Sequence, residues 1–252
     1  MLKIKTKVYK KLEYLVAGTG RCGTVFFAHL LTSMGIPCGH EHIFNFESKK
    51  ICFDRLVNPE KRINSYVSEN SFLDKKFHKN FVDPKKTIAE SSYFLAPYLD
   101  EHYLAKIPLI HVIRHPFKVI RSFVDDFHYF KNVHETNDPN IKIYENFIYN
   151  TYPEIEKFKN PYDRAARYFL SCNKKIILQE KKRPYILIKI EELDNKKREL
   201  QKFLKKLYPL LIPKHLNSKS TEKTKKIDFS VLDDESLKKE LKDFMVKINY
   251  PY

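Results

Sequence analysis

The chain has 252 residues, 42% of them hydrophobic and 14% aromatic, which is enough for one substantial core and an expected single domain over residues 1–252. A formal net charge of +16 suits a polyanionic partner, but the lysines are spread along the chain without a long basic tract, so no nucleic-acid arm is expected. Cys22, Cys38, Cys52 and Cys172 form neither a C-x-x-C pair nor a disulfide framework; no early apolar run resembles a signal peptide, and none nears the roughly 20 residues of a membrane span, so the expectation is a cytoplasmic protein with free thiols.

In chain order, Glu13 to Ala17 is a short apolar run that predicts a buried strand. A helix is expected from Thr24, with Phe27, Leu30, Leu31 and Met34 on one face, Gly35 at its C-cap and Pro37 just beyond. Residues 36 to 43 predict a second strand or its carboxyl end. Residues 45–88 show no clear period, apart from a possible strand at Thr87 to Glu90, and a helix is expected from Ser92 to about Tyr103. Ile107 to Arg114 predicts another strand, and Pro116 suits the first turn of the helix after it. On that helix Val119, Ile120, Phe123, Val124 and Phe127 form a stripe. Residues 131–161 read as a long loop or lid, and with 45–88 they form the expected substrate-lid segments. A helix from Asp163 to about Glu180, a strand from Tyr185 to Ile190, further helix, a loop near Asn217 to Lys226 and a final helix complete the chain. Alternating strands and helices predict an α/β fold with a parallel sheet flanked by helices, with ligands at the carboxyl ends of the strands.

Two loops lie at such ends. The first contains Gly18, Gly20 and Gly23, three of the five glycines in the chain. Gly18 and Gly23 have the spacing of a Walker A loop, but Thr24 occupies the lysine position. Backbone N–H groups at a helix N-terminus bind anions, and the planar fork of Arg21 supplies the missing positive charge. In the second loop Arg114 follows a strand, and Ser122 comes eight residues later on the ensuing helix.

Together, G-T-G-R-C-G-T and H-V-I-R-H-P-F-K-V-I-R-S-F resemble the sulfotransferases that use 3′-phosphoadenosine 5′-phosphosulfate (PAPS), in a P-loop-like architecture. The resemblance is specific for residues 13–45 and 107–125, loose for 163–195 and absent in the lid segments. It implies that Gly20, Arg21, Cys22, Gly23, Thr24 and Val25 hold the 5′-phosphosulfate, and that Arg114 and Ser122 hold the 3′-phosphate. It also implies transfer to a hydroxyl of a small-molecule or glycan acceptor, carbohydrate or glycolipid, with no metal. The acceptor hydroxyl needs a general base. Carbohydrate-type members place a Glu where Glu41 stands in C-G-H-E-H, which makes Glu41 the first candidate. His40 and His42 are also chemically suitable. If residues 40 to 42 are extended, the two histidines face one side and Glu41 the other. A zinc reading of Cys38, His40 and His42 lacks a second cluster to complete it.

Glu90, Ser91 and Ser92 are expected to cap the next helix, or else to bond the acceptor. His111 reads as a sheet residue, His115 as a residue placed to face the nucleotide, and Lys106 and Lys118 as solvated. Tyr129, Phe130, Tyr144, Phe147, Tyr149 and Tyr152 either stack on sugar faces or pack the lid. The alternatives to a sulfotransferase are a P-loop kinase with an altered loop, which needs Mg²⁺ and ATP, and a basic nucleic-acid-binding protein.

Overall fold

The computed structural model describes residues 12–63, 82–130, 139–205 and 227–251. The expected loop at 217–226 and parts of both lid segments, 64–81 and 131–138, lie outside the described residues.

Five strands form one all-parallel sheet: β1 (Tyr14–Ala17), β2 (Cys38–His40), β3 (Ala89–Ser92), β4 (Leu109–Ile113) and β5 (Tyr185–Lys189), in the order β2-β3-β1-β4-β5. Among the described residues the α-helices are α1 (Thr24–Ser33), α2 (Lys49–Val57), α3 (Pro116–Arg121), α4 (Pro139–Thr151), α5 (Pro161–Ile177), α6 (Leu193–Phe203) and α7 (Glu235–Lys247). The expected α/β class, a parallel sheet flanked by helices, is the observed one.

Period-two alternation along the strands builds two cores. Tyr14 and Val16 of β1, with Ile110 and Val112 of β4, pack on the apolar face of α1 and on Leu200 of α6. Leu15, Ala17, Leu109 and Ile113 face the other side, against α3, α5 and α7. Phe27, Leu30, Leu31 and Met34 are buried as their spacing predicts. Gly35, at φ 74°, ends α1: its N–H donates to the Thr32 carbonyl and that of Ile36 to the Leu31 carbonyl, a Schellman closure. This turn points the chain straight into β2.

Several expectations fail locally. No α-helix spans Ser92 to Tyr103; only a 3-10 turn forms, at Ala96–Tyr98, because Pro97 interrupts the run. The second strand stops at His40, because Glu41 adopts φ 61°. The irregular segment 45–88 contains α2, whose inward residues are Cys52 and an arginine, Arg55, paired with Glu47. The expected loop 131–161 contains α4, which buries Tyr144, Ile148 and Tyr149, and a 3-10 turn at Pro153–Lys157. The helix expected over 163–180 is α5: it starts at Pro161 behind Asn160, whose side chain accepts the Tyr162 N–H, and it ends at Ile177 in a 3-10 turn.

Candidate active site

The loop between β1 and α1 is packed from both sides. A methyl group at Gly18 would collide with the Val112 carbonyl, and one at Gly20 would lie 2.5 Å from Tyr144 Oη. Gly23 takes φ 105° at the start of α1, a conformation that L side chains rarely adopt. The first bond of the helical ladder runs from the Phe27 N–H to the Gly23 carbonyl, so the N–H groups of Thr24 and Val25 precede the ladder and are available to an anion. The Cys22 side chain turns inward: it is fully buried, and burial followed by the nearby Cys172 pushes its thiol up to about 12. Any contact of Cys22 with a ligand in this arrangement runs through its backbone.

Arg21 has φ 66° and lays its guanidinium 3.8 Å from the centre of the Phe127 ring. Its Nε donates to Ser122 Oγ at 3.2 Å, and Arg114 Nη1 donates to the Arg21 carbonyl at 3.4 Å. The two loops, distant in sequence, therefore meet. Ser122 touches the very arginine that the sequence assigned to a different phosphate. A π-helical turn at Ser122–Asp126 creates this meeting: the Phe127 N–H bonds back to the Ser122 carbonyl, which brings the hydroxyl and the ring to the same guanidinium. The turn also breaks the expected stripe. Val119, Ile120, Phe123 and Val124 are buried, while Phe127 leaves the core for Arg21. Phe127 escaped the sequence reading because a helical period continued through it.

Burial, opposed by the polar rings of Tyr129 and Tyr144 and reinforced by Arg114, holds the Arg21 pKa below its ordinary value. Among the described residues neither Arg21 nor Arg114 has a carboxylate partner. Two neighbouring arginines lacking an acid, beside a helix N-terminus and a serine hydroxyl, form a site with positive charge to spare. These residues fit a phosphate-bearing ligand.

The end of β2 meets the same loop. His40 Nε2 lies 3.3 Å from Thr24 Oγ1 and 3.3 Å from Glu41 Oε1. The latter is a contact of neutral groups rather than an ion pair. Burial, then His42 and His29, pulls His40 down to about 3; burial, then Glu90, pushes Glu41 well above the carboxylate range. The Tyr93 hydroxyl hydrogen-bonds the Glu41 carboxyl. The alternation expected for residues 40 to 42 is not observed. Because Glu41 is left-handed, His40 and Glu41 share one side, whereas His42 packs by Gly39 near Arg62, which with burial lowers it to about 4. The structure thus gathers Arg21, Thr24, His40, Glu41, Arg114 and Ser122 and turns His42 away.

Other residues are engaged elsewhere. The next stretch after β3 is not an α-helix, so Glu90, Ser91 and Ser92 do not cap one; they bond neighbouring loops instead. His111 lies in the sheet, between Tyr185 Oη and Asn173 Oδ1. His115 approaches the Pro251 carbonyl at 3.3 Å, with its ring against Tyr250. Lys106 is exposed, and Lys118 reaches Glu191 at 3.3 Å. Phe130, Tyr149 and Tyr152 are buried in packing, Tyr144 lies against Tyr93, and Tyr129 and Phe147 are partly exposed. Among the described residues there is no cluster of three or more metal-ligating side chains, and no helix is long and apolar enough to cross a membrane.

No family model matches the sequence, and no curated protein matches it. Among solved structures, the chain is similar to the sulfotransferase domain of the Synechococcus PCC 7002 olefin synthase, at 12% sequence identity and a TM-score of 0.47, over 97% of this chain and 98% of that one.

Proposed function

We infer that this chain is a PAPS-dependent sulfotransferase that sulfates a hydroxyl of a carbohydrate or glycolipid acceptor. The observation that carries the reading is the convergence at the N-terminus of α1 of Arg21 and Arg114, which have no carboxylate partner among the described residues. The spacing of the two loop motifs supports the same reading. The N–H groups of the Gly20–Val25 segment, the Arg21 and Arg114 side chains and Ser122 Oγ would hold the nucleotide. When bound, PAPS supplies an activated sulfuryl group.

Glu41 is the general base. It takes the acceptor hydroxyl proton in its deprotonated form, while Tyr93 bonds the carboxyl. His40, neutral at working pH, bonds Thr24 through Nε2 and lies 3.3 Å from this carboxyl. Arg21 and the loop N–H groups stabilise negative charge as it develops on the leaving side. The chemistry requires no Mg²⁺ on this reading, consistent with Thr24 in the place of a Walker lysine.

The test is calorimetric titration with adenosine 3′,5′-bisphosphate, the product nucleotide, beside ATP with Mg²⁺. Metal-independent preference for the bisphosphate supports the reading, and its loss of roughly 10- to 100-fold in affinity in Arg114→Ala assigns that arginine to a phosphate. Preference for ATP with Mg²⁺ would overturn it in favour of a kinase.

A further inference from the structure

Glu90 is fully buried on β3, directly opposite Gly39 of β2. Its Oε1 accepts two backbone N–H bonds, from Ile43 at 2.8 Å and from Phe44 at 3.2 Å. Its neighbours on the strand hold the same segment. The Ser91 carbonyl accepts the Glu41 N–H at 3.2 Å, and the Ser92 hydroxyl donates to the Phe44 carbonyl at 2.7 Å. The Ser91 hydroxyl reaches the other way and donates to the Thr24 carbonyl in the first turn of α1 at 2.8 Å. One tripeptide thus ties the glycine loop and the 41–44 turn to a single rigid strand.

Glu41 is an L-residue held at φ 61°, a conformation that persists only when its surroundings over-determine it. The two bonds to Glu90 Oε1 come immediately after Glu41 and His42 and close the turn that this backbone angle opens. The other oxygen, Oε2, has no hydrogen-bond partner and lies where a side chain on Gly39 would reach it, at 2.6 Å. That demand explains the glycine at position 39.

We propose that Glu90 is a positioning residue for Glu41: it fixes the left-handed turn that swings the Glu41 carboxyl to His40 and Tyr93, and it sets a second buried carboxyl in the surroundings of that base. The proposal rests on the reading of Glu41 as the base.

Glu41 is faced by His40 of β2, by Tyr93 after β3 and by Glu90. Glu90 is faced by Cys38 and His42 around β2, by Cys52 and Arg55 of α2 and by Arg62. Burial outweighs its two N–H bonds and both arginines, and raises Glu90 to about 7. Two buried carboxyls that repel cannot both ionise readily, so the state of one alters the other.

The experiment is a carboxyl-carbon NMR titration of protein labelled with 13C-glutamate, the Glu41 resonance being assigned by its loss in Glu41→Gln. Glu90→Gln retains a carbonyl oxygen for the Ile43 and Phe44 N–H groups and deletes the charge. The Glu41 midpoint is expected to fall in that variant. An unchanged midpoint in folded Glu90→Gln would overturn the proposal, because a merely structural Glu90 predicts it. If the variant does not fold, the wild-type Glu41 resonance decides: a two-step titration supports the pair, and a single step overturns it. Bisphosphate binding to the wild type is read separately, so failure of the sulfotransferase reading leaves the carboxyl titration interpretable.

Discussion

A buried carboxyl that is to act as a base must first lose its proton, and Glu41 holds its proton above the usual carboxylate range because burial and Glu90 both oppose ionisation. Turnover is therefore expected to rise with pH through a midpoint above that range. A profile of kcat against pH checks it, and an acidic limb at the ordinary carboxylate position would remove Glu41 from the role. Glu41→Gln is expected to keep bisphosphate affinity and lose about 100- to 10,000-fold in kcat. His111 bears on stability instead. Burial between Tyr185 and Asn173 lowers it to about 4. Between pH 6.5 and 4 the unfolded chain takes up a proton that folded His111 refuses. The stability due to neutral His111 is thus complete above pH 6.5 and is lost as pH falls through that window, by on the order of 3 kcal/mol. Glu90 has the opposite sign: raised to about 7, it contributes stability at low pH that is lost as pH rises toward and through that value. Urea unfolding at pH 5 and pH 7 should show a smaller gain with pH in His111→Gln than in the wild type.

The loop between β1 and α1 was legible because glycine is scarce in this chain and a strand and helix of clear period flank the cluster. What the spacing did not reveal is why each glycine is there. Gly18 faces the Val112 carbonyl, a backbone wall that cannot rotate away, so Gly18→Ala is expected to lower stability by about 1–3 kcal/mol, read by thermal melting. The π-helical turn was illegible, since a hydrophobic stripe at helical spacing looks the same until one extra residue shifts its phase. Because the turn delivers Phe127 to Arg21, Phe127→Leu should weaken bisphosphate binding several-fold, while Phe127→Tyr keeps the platform. Missed α2 has the same kind of cause. Arg55 faces inward and is neutralised by Glu47, so no apolar period marks the helix. The tripeptide of β3 reads as a cap because strand ends and helix starts share Ser and Glu, and Pro97 is the residue that prevents the helix.

At the scale of the molecule, the sheet class was readable from alternating apolar runs, whereas the strand order was not, since it depends on pairings between distant segments. The order is what brings the β1 and β4 loops side by side and sets β3 between β1 and the Glu41 turn. The charge of +16 is similarly ambiguous until some of it is located: Arg21 and Arg114 face each other's loops without acids, while other cations such as Arg167, Lys174 and Lys189 are paired. Chelation of divalent metal is expected to leave bisphosphate affinity unchanged, measured by calorimetry with and without EDTA. A preference for duplex DNA over the bisphosphate, with a steep salt slope, would instead favour the nucleic-acid alternative.

The same strand order bears on how the chain is made. β1 is the central strand, yet it precedes both partners by a long stretch of polypeptide: its neighbours are residues 89–92 and 109–111. During translation it must wait for them, for roughly 5–20 seconds at ordinary elongation rates. Throughout that interval Leu15, Val16 and the apolar face of α1 have no sheet to cover them. The nascent chain therefore keeps apolar surface uncovered until β4 leaves the ribosome, and slower synthesis is expected to lower its soluble yield.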